Sequence, residues 1–246
     1  MLDKKAKKTL KKDFYCTSCL SSAHNDSRYL IYVCCCRYTG FILDGTLWNA
    51  TESYAKIWNA TCKSFGVEAA FSGDDLVHYM GMSLEQIMMN LLGDELPVSN
   101  DVFLTRLGEY ENMMMPSLGG VLYPGVKECL EKLHGKFRLF MLSNCSPRGL
   151  RNFVNFTRTA HLFEGLLTQG ERPVEKCDNL LYMVSEYSLK HPTYVGDTQA
   201  DCDQCHAASL PFTYATWGFG NCINPEWKFS TIEDMTTCFL NTKSLR

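Results

Sequence analysis

The sequence predicts an α/β fold: a doubly wound parallel, Rossmann-like sheet with an all-helical insert after its first strand. Three observations lead there. From residue 120 onward, short apolar runs of strand length alternate with helical patterns. Parallel strands need such crossovers, because a tight turn cannot join them. Between 53 and 119 only helical periodicity appears. The strand-like runs also end in polar residues, at the edge where open parallel sheets bind ligands.

The elements follow in order. Residues 1–37 show no clean periodicity and read as an irregular, cysteine-rich extension. Phe41, Ile42 and Leu43 form a short apolar strand stopped by Asp44-Gly45-Thr46. Tyr54, Ile57, Trp58 and Phe65 recur at helical spacing, with Gly66 as the stop. Ser83 and Gln86 make a capping box ahead of Leu84, Ile87, Met88 and Leu91. Phe103, Leu107, Tyr110 and Met114 mark a further helix, ending near Pro116 and Gly119-Gly120. Beyond it, Pro124-Gly125 opens a helix, 137–142 is a strand ending in Ser143-Asn144, and a helix follows Pro147. A strand near 166–168, a helix carrying Leu180 and Val184, a strand at 192–195 ending in Gly196-Asp197, a helix from about Ala200 and a strand at 212–216 complete the pattern. The organisation expected is an extension over 1–37, an α/β core made of 38–52 and 120–246, and a helical cap over 53–119. The methionine-rich stretches fall on helical faces and read as core filler.

Composition narrows the function classes. Of 246 residues, 46% are hydrophobic and 21% charged, and the formal net charge is −3. That balance suits a globular protein and carries no nucleic-acid footprint. No apolar run approaches the roughly 18 residues a membrane span needs. Lysines crowd the first twelve positions (Lys4, Lys5, Lys7, Lys8, Lys11, Lys12), but the polar stretch 21–28 separates them from any apolar segment. That order argues against a secretory signal, so a cytoplasmic location with reduced thiols is expected for the 13 cysteines. Cys16, Cys19, His24, Cys34, Cys35 and Cys36 offer zinc ligands, although three adjacent cysteines cannot comfortably converge on one ion.

Four strand ends carry the candidate chemistry: Asp44-Gly45-Thr46, Ser143-Asn144, the region of Lys176, and Gly196-Asp197 with Asp201. Each has an ordinary structural reading alone, as a turn, a helix cap or a solvated lysine. Asp197 and Asp201 tell the most, because carboxylates at i and i+4 across a strand-to-helix junction can converge on one point, and carboxylate oxygens suit magnesium.

In combination and order, FILDGTLWNA (41–50), LFMLSNCS (139–146), Lys176 with Asn179, and YVGDTQAD (194–201) continuing to ATWGFG (215–220) resemble the haloacid dehalogenase superfamily. The likeness is to its phosphoglycolate phosphatase-like branch with a helical cap, and covers roughly residues 38–225. It implies a phosphoric monoester hydrolase that uses magnesium and acts on a small phosphorylated metabolite such as phosphoglycolate, as a monomer or homodimer. By the resemblance, Asp44 is the general acid/base and gives a carbonyl ligand to magnesium. Gly45, Thr46, Ser143 and Asn144 hold the phosphoryl group, and Lys176 neutralises its charge. Asp197 ligates magnesium, and Asp201 supports the metal.

One departure bears on activity. The family pattern Asp-x-Asp-Gly-Thr begins with the nucleophile, and here that position is Ile42. Isoleucine has no lone pair for phosphorus or for a metal, so covalent catalysis cannot start there. Magnesium affinity is expected to fall with the lost carboxylate. Asp44 shares a strand face with position 42 by the period of two and is the alternative attacking carboxylate. The two function classes are an impaired phosphatase and a catalytically inactive relative that binds phosphate or a partner. The anomalous residue adjoins the unusual 1–37 segment, which is either a divergent extension or the product of a frameshift, unspliced sequence or gene decay. Ser209 stands where the family carries a glycine. Cys202, Cys205 and His206 read as a helix face of small residues, with metal binding as the alternative.

Overall fold

The structure, a computed structural model, describes residues 38–93 and 96–241. The lysine-rich start and the candidate zinc ligands Cys16, Cys19, His24, Cys34, Cys35 and Cys36 lie outside them. The strands are β1 (Tyr38–Phe41), β2 (Trp48–Asn49), β3 (Val121–Leu122), β4 (Arg138–Ser143), β5 (Phe163–Thr168), β6 (Pro192–Gly196), β7 (Phe212–Ala215) and β8 (Trp227–Phe229). The helices are α1 (Thr51–Ser64), α2 (Gly73–Val77), α3 (Leu84–Leu92), α4 (Asn100–Leu118), α5 (Val126–His134), α6 (Gly149–Thr157), α7 (Lys176–Glu186), α8 (Gln199–Ala207) and α9 (Ile232–Asn241). Six strands form one sheet in the order β5-β4-β1-β6-β7-β8, parallel throughout. The expected parallel α/β fold is the one observed.

Both faces of the sheet are covered, which explains why its strands read as apolar runs rather than alternating ones. Along β4, Leu139 and Met141 pack with α5, α6 and α9 residues such as Leu130, Phe153 and Met235. Phe140 and Leu142 face the other way, toward Leu180, Met183 and Cys205 of α7 and α8. β1 sits in the middle, between β4 and β6. Its ladder runs from 38 to 41, earlier than the apolar triplet suggests. Ile42 adds one bond to the Val195 carbonyl (3.0 Å), and then the Leu43 carbonyl accepts the amides of Thr46, Leu47 and Trp48, which closes a turn. Gly40 matters here: a Cβ would strike the Tyr194 ring, whose hydroxyl crosses over β1 to bond the Leu142 carbonyl of β4 at 2.6 Å. That bond fixes the strand end bearing Ser143.

The expected helices between 53 and 119 are present, with differences that have physical reasons. The Ser83–Gln86 capping box forms in both directions. A second box, Ser72 with Asp75, starts α2, which is too short to show a period. Pro116 does not end α4, because it sits in the last turn, where only one intrahelical donor is lost; Gly119 N closes the turn on the Met115 carbonyl at 2.8 Å. β2 and β3 form an antiparallel ribbon, Trp48 opposite Leu122 and Asn49 opposite Val121, joining the entry and exit of the helical segment. Strands of two residues leave no sequence signal. Ser209 has φ of 59° in the turn after α8, the left-handed backbone that a glycine adopts without strain. No helix among the described residues is long and apolar enough to cross a membrane, and every described cysteine is a free thiol.

Replacing Tyr194 by Phe removes the hydroxyl that ties β6 to β4 and leaves a buried carbonyl short of a partner. The expected cost is about 1–3 kcal/mol, read as a lower urea midpoint at unchanged slope.

Candidate active site

Three segments meet on Asp197, just past β6. Its carboxylate, 1% exposed, accepts the Thr46 hydroxyl on Oδ1 (3.0 Å) and the Phe219 amide on Oδ2 (2.9 Å). Gly45 has φ of 81°, and a Cβ on it, or on Gly218, would overlap Asp197. Backbone therefore packs directly onto this carboxylate from two sides. Burial, and then the charge of Asp201, push Asp197 up to about 7, against the lowering effects of Phe219, Thr46 and Lys176.

Lys176 and Asp201 form a second buried unit. Lys176 is the first residue of α7, and the loop before it is tied to the helix by Asn179, which accepts from Arg172 Nη1 (2.8 Å) and donates to the Arg172 carbonyl (3.1 Å). Its ammonium bonds Asp201 Oδ1 at 2.5 Å, the two side chains being 4% and 3% exposed. Asp201 Oδ2 closes a capping box with Thr198 at the start of α8. Both oxygens of Asp201 are therefore in use. The expectation that Asp197 and Asp201 share one task by their i, i+4 spacing meets a different arrangement: Asp201 turns to Lys176 and Thr198, and Asp197 to Thr46 and Phe219.

Asp44, Ser143, Asn144 and Lys176 line one cleft, of about 660 Å³ with part of it open to solvent, between the strand ends and the helical segment. Asp44 Oδ1 accepts the Trp48 indole N–H at 2.9 Å. It keeps some surface open to the cleft, yet the crowding around it strips most of its water. That burial, with smaller contributions from the charges of Glu111 and Asp197, outweighs the indole and pushes Asp44 up to about 7. A carboxylic acid balanced near neutrality is suited to proton transfer. Asn144 gives its amide to the Gly81 carbonyl of the helical segment (2.8 Å). Trp48 is fully buried, edge-on to Phe153 at 5.1 Å, and Asn49 accepts the Thr51 amide (3.0 Å) and hydroxyl (2.8 Å) where α1 begins, so both hold the ribbon rather than face the cleft.

Ile42 lines the same cleft and is 5% exposed. It belongs to the apolar cluster under α7 and α8, and the missing side chain of Gly196 leaves room for its Cδ1. A thiol also stands nearby, but burial pushes Cys145 far up, so it stays protonated and cannot replace the attacking carboxylate.

Sequence reasoning missed Glu111. It lies within α4, where a glutamate ordinarily faces water, yet it is 5% exposed and accepts the Ser146 hydroxyl (2.9 Å) and the Asn152 amide (3.3 Å) from the core. Burial pushes its carboxyl up, offset by those two bonds. No spacing signal marks it. On α8, Cys202 and Cys205 are fully buried, and His206 pairs with Glu226 at 3.1 Å.

A family model for haloacid dehalogenase-like hydrolases matches residues 41–215. The chain belongs to the haloacid dehalogenase-like hydrolase family. Within it, the chain is similar to phosphoglycolate phosphatases. One from Aquifex aeolicus (strain VF5) is 28% identical over 188 residues, covering 73% of this chain and 84% of the relative. One from Rhodobacter capsulatus is 22% identical over 187 residues, with the same coverage. Among solved structures, a predicted phosphoglycolate phosphatase of Haemophilus somnus 129PT superposes with a TM-score of 0.69 at 24% identity, over 82% of this chain and 97% of that one. A haloacid dehalogenase-like family hydrolase of Streptococcus pneumoniae gives 0.66 at 18% identity, over 83% and 98%. At these identities the superpositions speak for the fold alone.

The family resemblance implies magnesium, and the donor set can be tested against it. Among the described residues, no three His, Cys, Asp or Glu side chains group to hold a metal ion. Position 42 supplies no oxygen, and Asp201 is committed to Lys176. Asp197 and the Asp44 carbonyl remain. These residues do not make a self-sufficient magnesium site.

The raised carboxyls fix the sign of a pH effect. Between about 4 and 7 the unfolded chain has released protons that folded Asp44 and Asp197 keep, so stability is full at low pH and falls as pH rises through 7. Thermal melts in EDTA are expected to show a lower Tm at pH 8 than at pH 5.5. Asp44→Asn is expected to flatten that slope by raising Tm at pH 8 more than at pH 5.5.

Proposed function

We propose that this protein is a phosphatase-type hydrolase for small phosphomonoesters whose turnover is impaired at the attacking step. The single observation behind this reading is that Ile42 lines the same cleft as Asp44, Ser143 and Lys176. The phosphoryl group sits at the strand ends. Lys176 offsets its charge, and Ser143 donates to one of its oxygens, as phosphoryl transfer requires. Asp44, near neutrality in pKa, gives a proton to the leaving oxygen. The carboxylate that would attack from position 42 is absent. Losing a nucleophile in other enzymes costs about 10⁴ to 10⁶ in kcat, and the residual route is direct attack by water, with Asp44 kept as the acid for the leaving oxygen. Magnesium, when bound, would add positive charge at the phosphoryl oxygens. With the carboxylate at 42 gone, its affinity is low. The helices of 53–119 act as the cap over the site, and the substrates of the similar proteins suggest a small phosphorylated metabolite.

A second reading, a silent relative that binds phosphate or a partner, is favoured by the way Ile42 is accommodated. Its side chain is packed against Gly196 and Phe212 as part of the core rather than left as a defect.

Magnesium-dependent hydrolysis of p-nitrophenyl phosphate separates the two. The chain as it stands is expected to run slightly above the buffer rate, and Ile42→Asp at least about a hundredfold faster. Fast turnover by the unaltered chain refutes impairment, whereas an inert but folded Ile42→Asp favours the silent binder. In calorimetric titration, Ile42→Asp is expected to bind magnesium more tightly than the unaltered chain.

A further inference from the structure

The helical segment gives the cleft a wall with its own chemistry. Opposite Ser143 and Lys176 stand Tyr54, Trp58, Leu76, Met80, Met82 and Ile87, none of them charged. Ile42 carries the apolar surface down to the strand ends. Among the described residues lining the cleft, Lys176 is the one cation, and its ammonium is already bound to Asp201. The other charged groups in the lining are Asp44 and Glu111.

This arrangement discriminates between phosphomonoesters by the alcohol they carry. A phosphorylated hydroxy acid brings a carboxylate as well as a phosphate. Among the described residues of this cleft that second anion finds no free cation, Glu111 is a further acidic group in the lining, and an unpaired buried anion is strongly disfavoured. An uncharged ring or branched alkyl group loses nothing of that kind and gains burial against Trp58 and Tyr54. The methionines have flexible thioethers that mould to irregular apolar shapes.

We propose that the cleft selects phosphomonoesters of uncharged apolar alcohols, aryl or branched alkyl, and discriminates against phosphorylated hydroxy acids. The selection rests on the reading of the strand ends as a phosphate site, and it departs from the substrate in the names of the similar proteins. The discriminating residues are Tyr54, Trp58, Met80 and Met82. Met82 is 39% exposed, so it can be changed without disturbing the core.

The test is calorimetric titration of the full chain, in magnesium-containing buffer, with inorganic phosphate, 2-phosphoglycolate, 1-naphthyl phosphate and 1-naphthol. Affinity is expected to rise about tenfold or more from inorganic phosphate to 1-naphthyl phosphate as the ring leaves water. 2-Phosphoglycolate is expected to bind no tighter than inorganic phosphate. Met82→Arg, which puts a cation on the rim, is expected to tighten 2-phosphoglycolate severalfold and leave 1-naphthyl phosphate no tighter. If 2-phosphoglycolate binds the unaltered chain more tightly than 1-naphthyl phosphate, the selectivity is overturned while the phosphate site stands. If 1-naphthol binds as tightly as its ester, or no phosphate compound binds, the phosphate-site reading fails and the proposal falls with it.

Discussion

The carboxylate of Asp197 takes a hydroxyl from the loop after β1 and an amide from the loop after β7. Those loops belong to strands that flank β6 on its two sides. Without that carboxylate, Gly45, Thr46 and the 217–220 loop would have no common point to pack on. The requirement is tight, since neither Gly45 nor Gly218 has space for a methyl group. Trp217 adds its indole N–H to the Thr46 carbonyl at 3.0 Å, so the clasp closes through a second contact. A group that organises its surroundings this way while carrying a raised pKa is held by geometry at an electrostatic cost.

The sequence carries the fold well and the site partly, and the difference has a physical origin. Strand and helix periods are local, so β4, β6, α3 and the strand-end polar residues can be read from spacing. Which polar groups pair across the strand ends is not local. The Lys176–Asp201 bond spans 25 positions and the Thr46–Asp197 bond 151. Asp201 also obeys a local rule, the capping box, that competes with any metal role and is visible as Thr198-x-x-Asp201. Glu111 had no such mark. Its burial follows from where α4 lands on the core, and nothing in the residues around it encodes that landing.

The cleft combines two kinds of surface, charged groups at the strand ends and, apart from Glu111 of α4, mostly apolar groups on the helical side. In an enzyme with a carboxylate at position 42 the boundary between them would fall just above the reacting atoms. Isoleucine moves that boundary down onto the strand end itself. The change lowers the polarity of the floor and raises the cost of ionising Asp44 beside it.

Gly196 and Ile42 are also linked as a pair across two adjacent strands. The isoleucine methyl occupies the volume that a side chain at 196 would need. A Cβ at 196 would lie 2.5 Å from Ile42 Cδ1 and 3.0 Å from the Phe212 ring, so a side chain there requires the isoleucine methyl to rotate away and the ring to give. The effect of changing either residue therefore depends on the other, which is epistasis written in a single van der Waals contact. A smaller or shorter side chain at 42 would relieve only part of the crowding, since the Phe212 ring stays against position 196.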